Sequence, residues 1–251
     1  MSFLPSNWVP SSNELLGKTV LVTGASDGIG RSVALACAAV GAEVWLLARQ
    51  QSALETVYDE ILEKGGKTPG IIPVDLIKSD TETYQQIADQ LCDADIALDG
   101  LVHNASILGE RKPLAHTSLE SWRDVLQVNI GSIFLLTRFL MPLLQAAPMA
   151  SLILTSSGVG RRGKAYWGAY AVSKFATEGF MQVLADELRG TSRIRVNSLN
   201  PGAVNTKMRR AAYPAEPPNN NPLPEELTDH WVYLLSDLSQ DLNGAALNVQ
   251  S

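Results

Sequence analysis

The chain has 251 residues, of which 45% are hydrophobic and 18% are charged, as expected for a globular protein with one well-covered core. Its net charge of −6 argues against nucleic acid as a partner, because phosphate backbones are bound by basic surfaces. The N-terminus carries neither a basic segment nor a sustained apolar stretch, so we expect no secretory signal and a cytoplasmic location.

Apolar runs alternate with helical patterns along the chain. Residues 1–16 contain two prolines and two asparagines and predict an irregular arm before one domain, residues 17–251. Strands are predicted at 19–23, 43–48, 70–74, 98–103, 151–155, 194–199 and 245–249, and helices at about 29–40, 50–64, 80–93, 118–146, 168–189 and 224–236. The alternation predicts an α/β fold, a single-domain doubly wound (Rossmann) parallel sheet of seven strands with helices on both faces.

Two segments within this series differ from the rest. Residues 133–144 are the most apolar stretch, but they are too few to span a membrane and include Arg138, so we expect a helix that packs on the sheet or on another subunit. Residues 208–224 contain five prolines and three consecutive asparagines, which exclude a regular strand or a long helix and predict a surface loop.

Cys37 and Cys92 both fall in predicted helices, far apart in the sequence. They lack the spacing of metal ligands, so we expect no metal site and no disulfide. Each is interpreted as a small buried or half-buried side chain.

A glycine-rich segment, T-G-A-S-D-G-I-G, follows the first predicted strand and leads into a helix. Gly24, Gly28 and Gly30 allow a tight turn and a close approach to a pyrophosphate, whose charge a helix N-terminus stabilises. A plain turn would fit the glycines equally well. The strand before, the helix after and the next strand at Glu43–Ala48 favour a cofactor loop.

Tyr170 and Lys174 stand four residues apart in a predicted helix and therefore share one face. A nearby ammonium favours the phenolate and lowers the pKa of a tyrosine, so Tyr170 is a candidate acid or base. Thirteen residues upstream, Ser157 ends the strand L-I-L-T-S-S, at the edge where parallel sheets bind ligands. The Tyr and Lys spacing alone also occurs by chance, so the serine carries part of this interpretation.

These motifs resemble the short-chain dehydrogenase/reductase family, to which Asn104-Ala105, Asn129 and Pro201-Gly202 followed by Thr206 add further matches. The resemblance extends from about Leu16 to about Val249. Within the family, the segment S-S-G-V-G-R-R-G-K-A-Y-W-G-A-Y-A-V-S-K-F-A-T-E-G is most like the bacterial YciK-type oxidoreductases.

The resemblance implies hydride transfer between a nicotinamide cofactor and a small-molecule carbonyl or alcohol. Tyr170 is then the general acid and base, and Ser157 polarises the substrate oxygen. Lys174 holds the nicotinamide ribose and lowers the pKa of Tyr170, while Asn129 anchors a water. An alternative for Asn129 is a polar residue at a helix kink. By the same resemblance, residues 208–224 are a candidate substrate loop.

Cofactor contacts are also implied by the resemblance. They are Gly24, Ser26, Asp27, Gly28, Ile29, Gly30, Arg49, Asp75, Leu76, Asn104, Ala105, Tyr170, Lys174, Pro201, Gly202, Val204 and Thr206. One departure is H-N-A-S, His103 to Ser106, where the family usually has N-N-A-G; we expect His103 to bond to backbone groups.

The residues after the second strand predict which dinucleotide binds. Ala48 stands where members of the family that prefer NAD tend to carry aspartate, and Arg49 follows it. A guanidinium binds a 2′-phosphate through two donors, so we predict NADP(H), with NAD(H) as a weaker alternative. Arg49 as a plain surface arginine is the competing interpretation.

Other functions remain open at this point. A non-catalytic NADP(H)-binding sensor or scaffold on the same fold is the main alternative, although a sensor needs no proton relay. The substrate is left open between an anionic or polar compound and an apolar one. The first would suit Arg161, Arg162, Lys164, Arg209 and Arg210, and the second would suit Trp167 and Tyr213. The apolar helices at 118–146 and 168–189 predict a homodimer or homotetramer.

Overall fold

The computed structural model describes residues 4–5 and 8–250. Seven parallel strands form one sheet in the order β3-β2-β1-β4-β5-β6-β7. They are β1 Thr19–Thr23, β2 Glu43–Ala48, β3 Gly70–Pro73, β4 Gly100–His103, β5 Ala150–Thr155, β6 Ile194–Asn200 and β7 Ala246–Asn248. The prediction of a doubly wound parallel sheet is confirmed, and the strand order reverses between β1 and β4, where such sheets bind ligands.

Helices connect the strands on both faces of the sheet. They are α1 Gly28–Ala39, α2 Gln51–Glu63, α3 Thr81–Asp93, α4 Leu119–Leu126, α5 Ser132–Ala146, α6 Gly168–Glu187, α7 Lys207–Ala212 and α8 Asp229–Leu235. Short 3₁₀ turns lie at Leu114–His116, Gly158–Gly160, Pro218–Asn220, Pro224–Leu227 and Asp237–Ser239.

Successive strand residues point to opposite faces, which divides the apolar core into two halves. On β1, Val20 and Val22 pack with α1, α2 and α8, whereas Leu21 packs with α3, α5 and α6. Strands that are covered on both faces read as continuous apolar runs, and this is why the sequence shows no alternation in them.

The predicted helix at 118–146 is interrupted by a π-helical turn, Gln127–Gly131, between α4 and α5. Such turns insert a residue into a helix and often lie at functional sites. The stretch Leu119–Ala146 is long and apolar enough to cross a membrane, but the core helices of soluble proteins share that length and composition. Here Leu136, Leu140 and Leu144 are fully buried in the core under the sheet.

The N-terminal segment lies against the domain. Residues 8–18 form turns without a helix or strand, Leu15 is fully buried, and its amide donates to the carbonyl of Val40. The Trp8 and Tyr233 rings meet edge to face at 5.1 Å. Within the predicted arm, residues 1–3 and 6–7 lie outside the described residues, as does residue 251 of the predicted domain.

Of the two cysteine predictions, one is wrong. Cys37 on α1 is buried, but Cys92 on α3 is exposed. Leu91 is the last core residue of α3, and a step of one residue turns a helical side chain by about 100°, toward solvent.

Candidate functional site

A cavity opens at the carboxyl edge of the sheet, where β1, β4, β5 and β6 end. Most of the sequence-predicted site residues line it, namely Gly24, Ser26, Asp27, Gly28, Ile29, Asn104, Ala105, Ser157, Tyr170, Lys174, Pro201, Gly202, Val204 and Thr206. Gly30, Arg49, Asp75, Leu76 and Asn129 do not line it.

The glycine loop is tied to the segment after β4 by the hydroxyl of Thr23. This oxygen accepts hydrogen bonds from the amides of Asn104 (3.0 Å) and Ala105 (2.9 Å). Gly24 has a φ of +68°, and a Cβ there would come within 3.0 Å of the Cα of Ala105. Only glycine combines that backbone conformation with such a close approach.

Helix α1 begins at the cavity wall, with Asp27 as its N-cap. The Asp27 carboxylate accepts from the amide of Gly28 and forms a 2.9 Å ion pair with Lys207 of α7. Partial burial acts to raise the pKa of Asp27, but the hydrogen bonds from Lys207 and Gly28 outweigh it and lower the pKa. The acidic residue in the glycine loop is therefore compensated by a lysine that sequence reasoning missed.

Two serines with different surroundings follow directly after strand β5. Ser156 is buried and donates to the carboxylate of Glu178, which also accepts from Ser198 and Arg161. Ser157, one residue later, is only half-buried and lines the cavity. Of the two, Ser157 is the hydroxyl that a ligand can reach.

The phenol of Tyr170 is buried at the cavity, on the first turn of α6. Burial raises the pKa of Tyr170 to about 12, although the nearby hydroxyls of Ser157 and Ser106 act to lower it. The expected lowering by Lys174 is therefore wrong for this arrangement, in which desolvation of the phenolate dominates.

Lys174 lies one turn after Tyr170 and is 2% exposed. Its Nζ is 5.6 Å from the centre of the Tyr170 ring and donates to the carbonyl of Thr155 at 2.8 Å. Burial lowers the pKa of Lys174 to about 8, although the charge of Glu178 acts to raise it. At neutral pH the amine remains mostly protonated.

Asn129 lies in the π-helical turn, fully buried behind the cavity. Its Oδ1 accepts from the amide of Ile107, and its Nδ2 donates to the Ile107 carbonyl and to the Ser173 hydroxyl. Ser173 in turn donates to the carbonyl of Tyr170. The asparagine thus joins the segment after β4 to the helix that carries Tyr170.

Comparison with known proteins decides the family. A profile of the short chain dehydrogenase family matches residues 18–217. The chain belongs to the short-chain dehydrogenase family. It is therefore an oxidoreductase.

Individual relatives are similar along nearly the whole chain. An uncharacterized oxidoreductase, YciK of Escherichia coli strain K12, is 43% identical over 244 residues, covering 97% of this chain and 96% of the relative. A short chain dehydrogenase from Pseudomonas syringae superposes with a TM-score of 0.95 at 47% identity, covering 97% and 99% of the two chains. One from E. coli CFT073, crystallised with NADPH, gives 0.94 at 43% identity, covering 96% and 100%. The expected family and its YciK-like subgroup are confirmed.

His103 and Ser106 are the two residues at which H-N-A-S departs from the family pattern. His103 is buried, and its Nε2 is 2.9 Å from the Thr137 hydroxyl, so the expectation of backbone partners is wrong. Burial lowers the pKa of His103 to about 3, which keeps the ring neutral. The Ser106 side chain lines the cavity, and its hydroxyl is buried without a hydrogen bond of normal length to a described residue.

The remaining predicted residues of this short-chain dehydrogenase lie outside the cavity. Arg49 is exposed just after β2, and Asp75 and Leu76 follow β3 on the adjacent strand, where Ala48 pairs with Pro73. These three residues lie along the same carboxyl edge of the sheet, but outside the cavity. Gly30 lies beneath the glycine loop rather than on its surface.

Several cavity residues are absent from the predicted catalytic and cofactor residues, although Trp167 and Arg209 were named as candidate substrate contacts. The absent residues are Ser106, Leu108, Thr155, Ser156, Trp167, Lys207, Met208, Arg209 and Ala212. Five of these nine are the four residues of α7 and Trp167 at the N-cap of α6, whose positions depend on long-range packing. Most of α7 falls in the predicted substrate loop, 208–224, and the hydroxyl of Thr206 caps this helix by accepting from the amide of Arg209.

We predict that Gly30→Ala destabilises the protein, whereas Gly163→Ala does not. A Cβ at Gly30 would lie 2.3 Å from the carbonyl oxygen of Gly24, so the backbone of the loop must shift. The expected loss is about 1–3 kcal/mol of unfolding free energy, measured by urea denaturation. Gly163 is an exposed loop glycine with open space around it, and its replacement should change the unfolding free energy by less than about 0.5 kcal/mol. Equal effects at the two positions would contradict the packing described.

Proposed function

We propose that this protein is an NADP(H)-dependent reductase that transfers hydride between the nicotinamide and a small carbonyl or alcohol. The observation that carries the proposal is that Ser157, Tyr170 and Lys174 line one cavity together with the glycine loop at the start of α1. Relatives with close structural similarity were crystallised with NADP or NADPH, which supports this cofactor.

The residues present fit a dinucleotide. Gly24 keeps the loop close to the floor of the cavity, and the N-terminus of α1 supplies partial positive charge for a pyrophosphate. Lys174 has three N–H donors and uses one on Thr155, so others are available to ribose hydroxyls. Arg49 would bind the 2′-phosphate at the end of β2, and Asp75 would meet the adenine.

When bound, the nicotinamide cofactor supplies the hydride. The protein's own residues move the proton and position the substrate. With a pKa of about 12, Tyr170 is protonated at neutral pH and can donate to the carbonyl oxygen as it gains charge. Ser157 would donate a hydrogen bond to the same oxygen, which favours the developing alkoxide. This protonation state favours reduction over oxidation near neutral pH.

Assembly and location are further parts of the proposal. Apolar side chains on α5 and α6 are exposed, with Phe134, Val172, Phe175 and Val183 between 42% and 58% accessible. We propose that a homodimer or homotetramer covers them. The cytoplasmic location stays a prediction.

Replacing Tyr170 with phenylalanine tests the catalytic proposal. We expect NADPH oxidation, assayed with a panel of aldehydes, ketones and quinones, to fall about 10²–10⁴-fold, because the proton donor is lost. The Kd for NADPH should change by less than about 3-fold, or roughly 0.6 kcal/mol. Tyr58→Phe on α2 is the matched control and should keep full activity. A Tyr170→Phe protein with full turnover would instead support a proton donor elsewhere.

Replacing Arg49 with alanine tests the cofactor preference. Loss of the guanidinium should weaken NADPH binding about 10–100-fold and leave NADH binding nearly unchanged, because only NADPH carries the 2′-phosphate. Isothermal titration with both dinucleotides measures this. Lys67→Ala is the control for net charge, because it removes an exposed cation just before β3, at the amino end of that strand. A parallel loss for NADH would refute the phosphate contact.

A further inference from the structure

The half of the cavity beside Tyr170 differs in chemistry from the half at the glycine loop. Leu108, Trp167, Met208 and Ala212 line it, and we call these four residues the apolar lobe. They pack in one cluster with Tyr170, and the Tyr213 ring lies 6.0 Å from that of Trp167. A substrate held against Tyr170 therefore meets aliphatic and aromatic side chains.

Arg209 lines the cavity on the same helix, α7, as Met208 and Ala212 of the apolar lobe, and its charge is already compensated. Its Nε and Nη2 each donate to Glu216 at 2.6 Å, one to each carboxylate oxygen. The guanidinium also lies 4.0 Å from the centre of the Tyr213 ring. Such a bidentate pair occupies the fork that would otherwise hold a substrate carboxylate or phosphate.

The other basic residues at the mouth are also engaged. Lys164 donates to the hydroxyl of Tyr213, and Arg210 donates to the side chain of Asn205. Arg161 bonds to Glu178, to Asn248 and to a backbone carbonyl of β7. Arg162 is exposed and does not line the cavity.

Arg111 does not line the cavity, but it contacts Trp167 of the apolar lobe. Its guanidinium lies 4.3 Å from the centre of the Trp167 ring and donates to the carbonyls of Tyr166 and Ala212. These bonds fasten α7 over the loop before α6. The arginine therefore shapes the apolar lobe, and its Nε and Nη1 donors are used on these two carbonyls.

Building on the proposed function, we infer that the substrate is an uncharged carbonyl compound with an apolar body, and that Glu216 determines this specificity by occupying Arg209. An anionic substrate would have to displace Glu216, or break the hydrogen bonds that already engage the other cations, while its charge lies against the apolar lobe. Burying an unpaired charge is costly, so such a substrate binds weakly.

Binding of two aldehydes of similar shape tests this inference. The Kd values of 4-isopropylbenzaldehyde and 4-carboxybenzaldehyde are measured by fluorescence on the NADPH-loaded Tyr170→Phe protein. We expect the neutral compound to bind at least about ten-fold more tightly. Equal or tighter binding of the carboxylate, or no detectable binding of the neutral aldehyde, would overturn the inference.

Variants of the ion pair identify its role. Glu216→Gln should reduce the preference for the neutral aldehyde to about 3-fold or less, because 4-carboxybenzaldehyde can then bind to the released Arg209. Adding Arg209→Met should restore the original ratio, and Glu225→Gln, an exposed acid nearby, should leave it unchanged. A ratio that Glu216→Gln does not alter would refute the specificity role. Because binding is read without turnover, residual catalysis by the Tyr170→Phe protein would refute only the proposed catalytic role.

Discussion

The short segment after β4 is held by two side chains, and the arrangement of the site depends on this double attachment. The hydroxyl of Thr23 accepts the amides of Asn104 and Ala105, and the amide group of Asn129 pairs with both backbone groups of Ile107. The first attachment fixes the segment to the glycine loop, and the second fixes it to the helix layer that carries Tyr170. Buried backbone groups that lost these partners would each cost about 1–3 kcal/mol. Cofactor loop and proposed proton donor are therefore held by one rigid connection.

Burial shifts the pKa values of Tyr170 and Lys174 in opposite directions. It raises the pKa of the Tyr170 phenol and lowers that of the Lys174 amine, because the charged form loses hydration in both cases. The negative charge of Glu178 limits the change at Lys174. At neutral pH the result is a neutral phenol beside an ammonium, which is the combination that the proposed carbonyl reduction requires.

The sequence was sufficient to predict the sheet, because buried parallel strands are continuous apolar runs and the intervening helices are amphipathic. It also predicted the residues that line the cavity along Gly24–Ile29 and Ser157, since their position follows from strand ends. It could not predict the π-helical turn at Asn129, whose geometry arises from packing against Ile107 and Ser173. Nor could it predict the pairing of Lys207 with Asp27, which are 180 residues apart in the chain and meet only in the fold.

The direction of the Tyr170 pKa shift was wrong for a related reason. Spacing places Lys174 on the same helix face, but it does not reveal that the amine turns to the Thr155 carbonyl or that the phenol is almost fully buried. Desolvation is a property of the whole assembled site. The sequence pointed to Trp167 as an apolar contact, but the aliphatic walls of the apolar lobe come from segments far apart in the chain and were visible only in the structure.

The pH dependence of kcat/KM for carbonyl reduction with NADPH, followed from pH 6.5 to 10, tests the central claim most directly. Lys174 loses its proton as the pH rises through about 8, whereas Tyr170 keeps its proton to about 12. The rate should therefore be constant below pH 7 and fall with a midpoint near 8 as the ammonium is lost. A rate that stays level to pH 10, with NADPH binding unchanged over the same range, would contradict a role for charged Lys174 beside Tyr170.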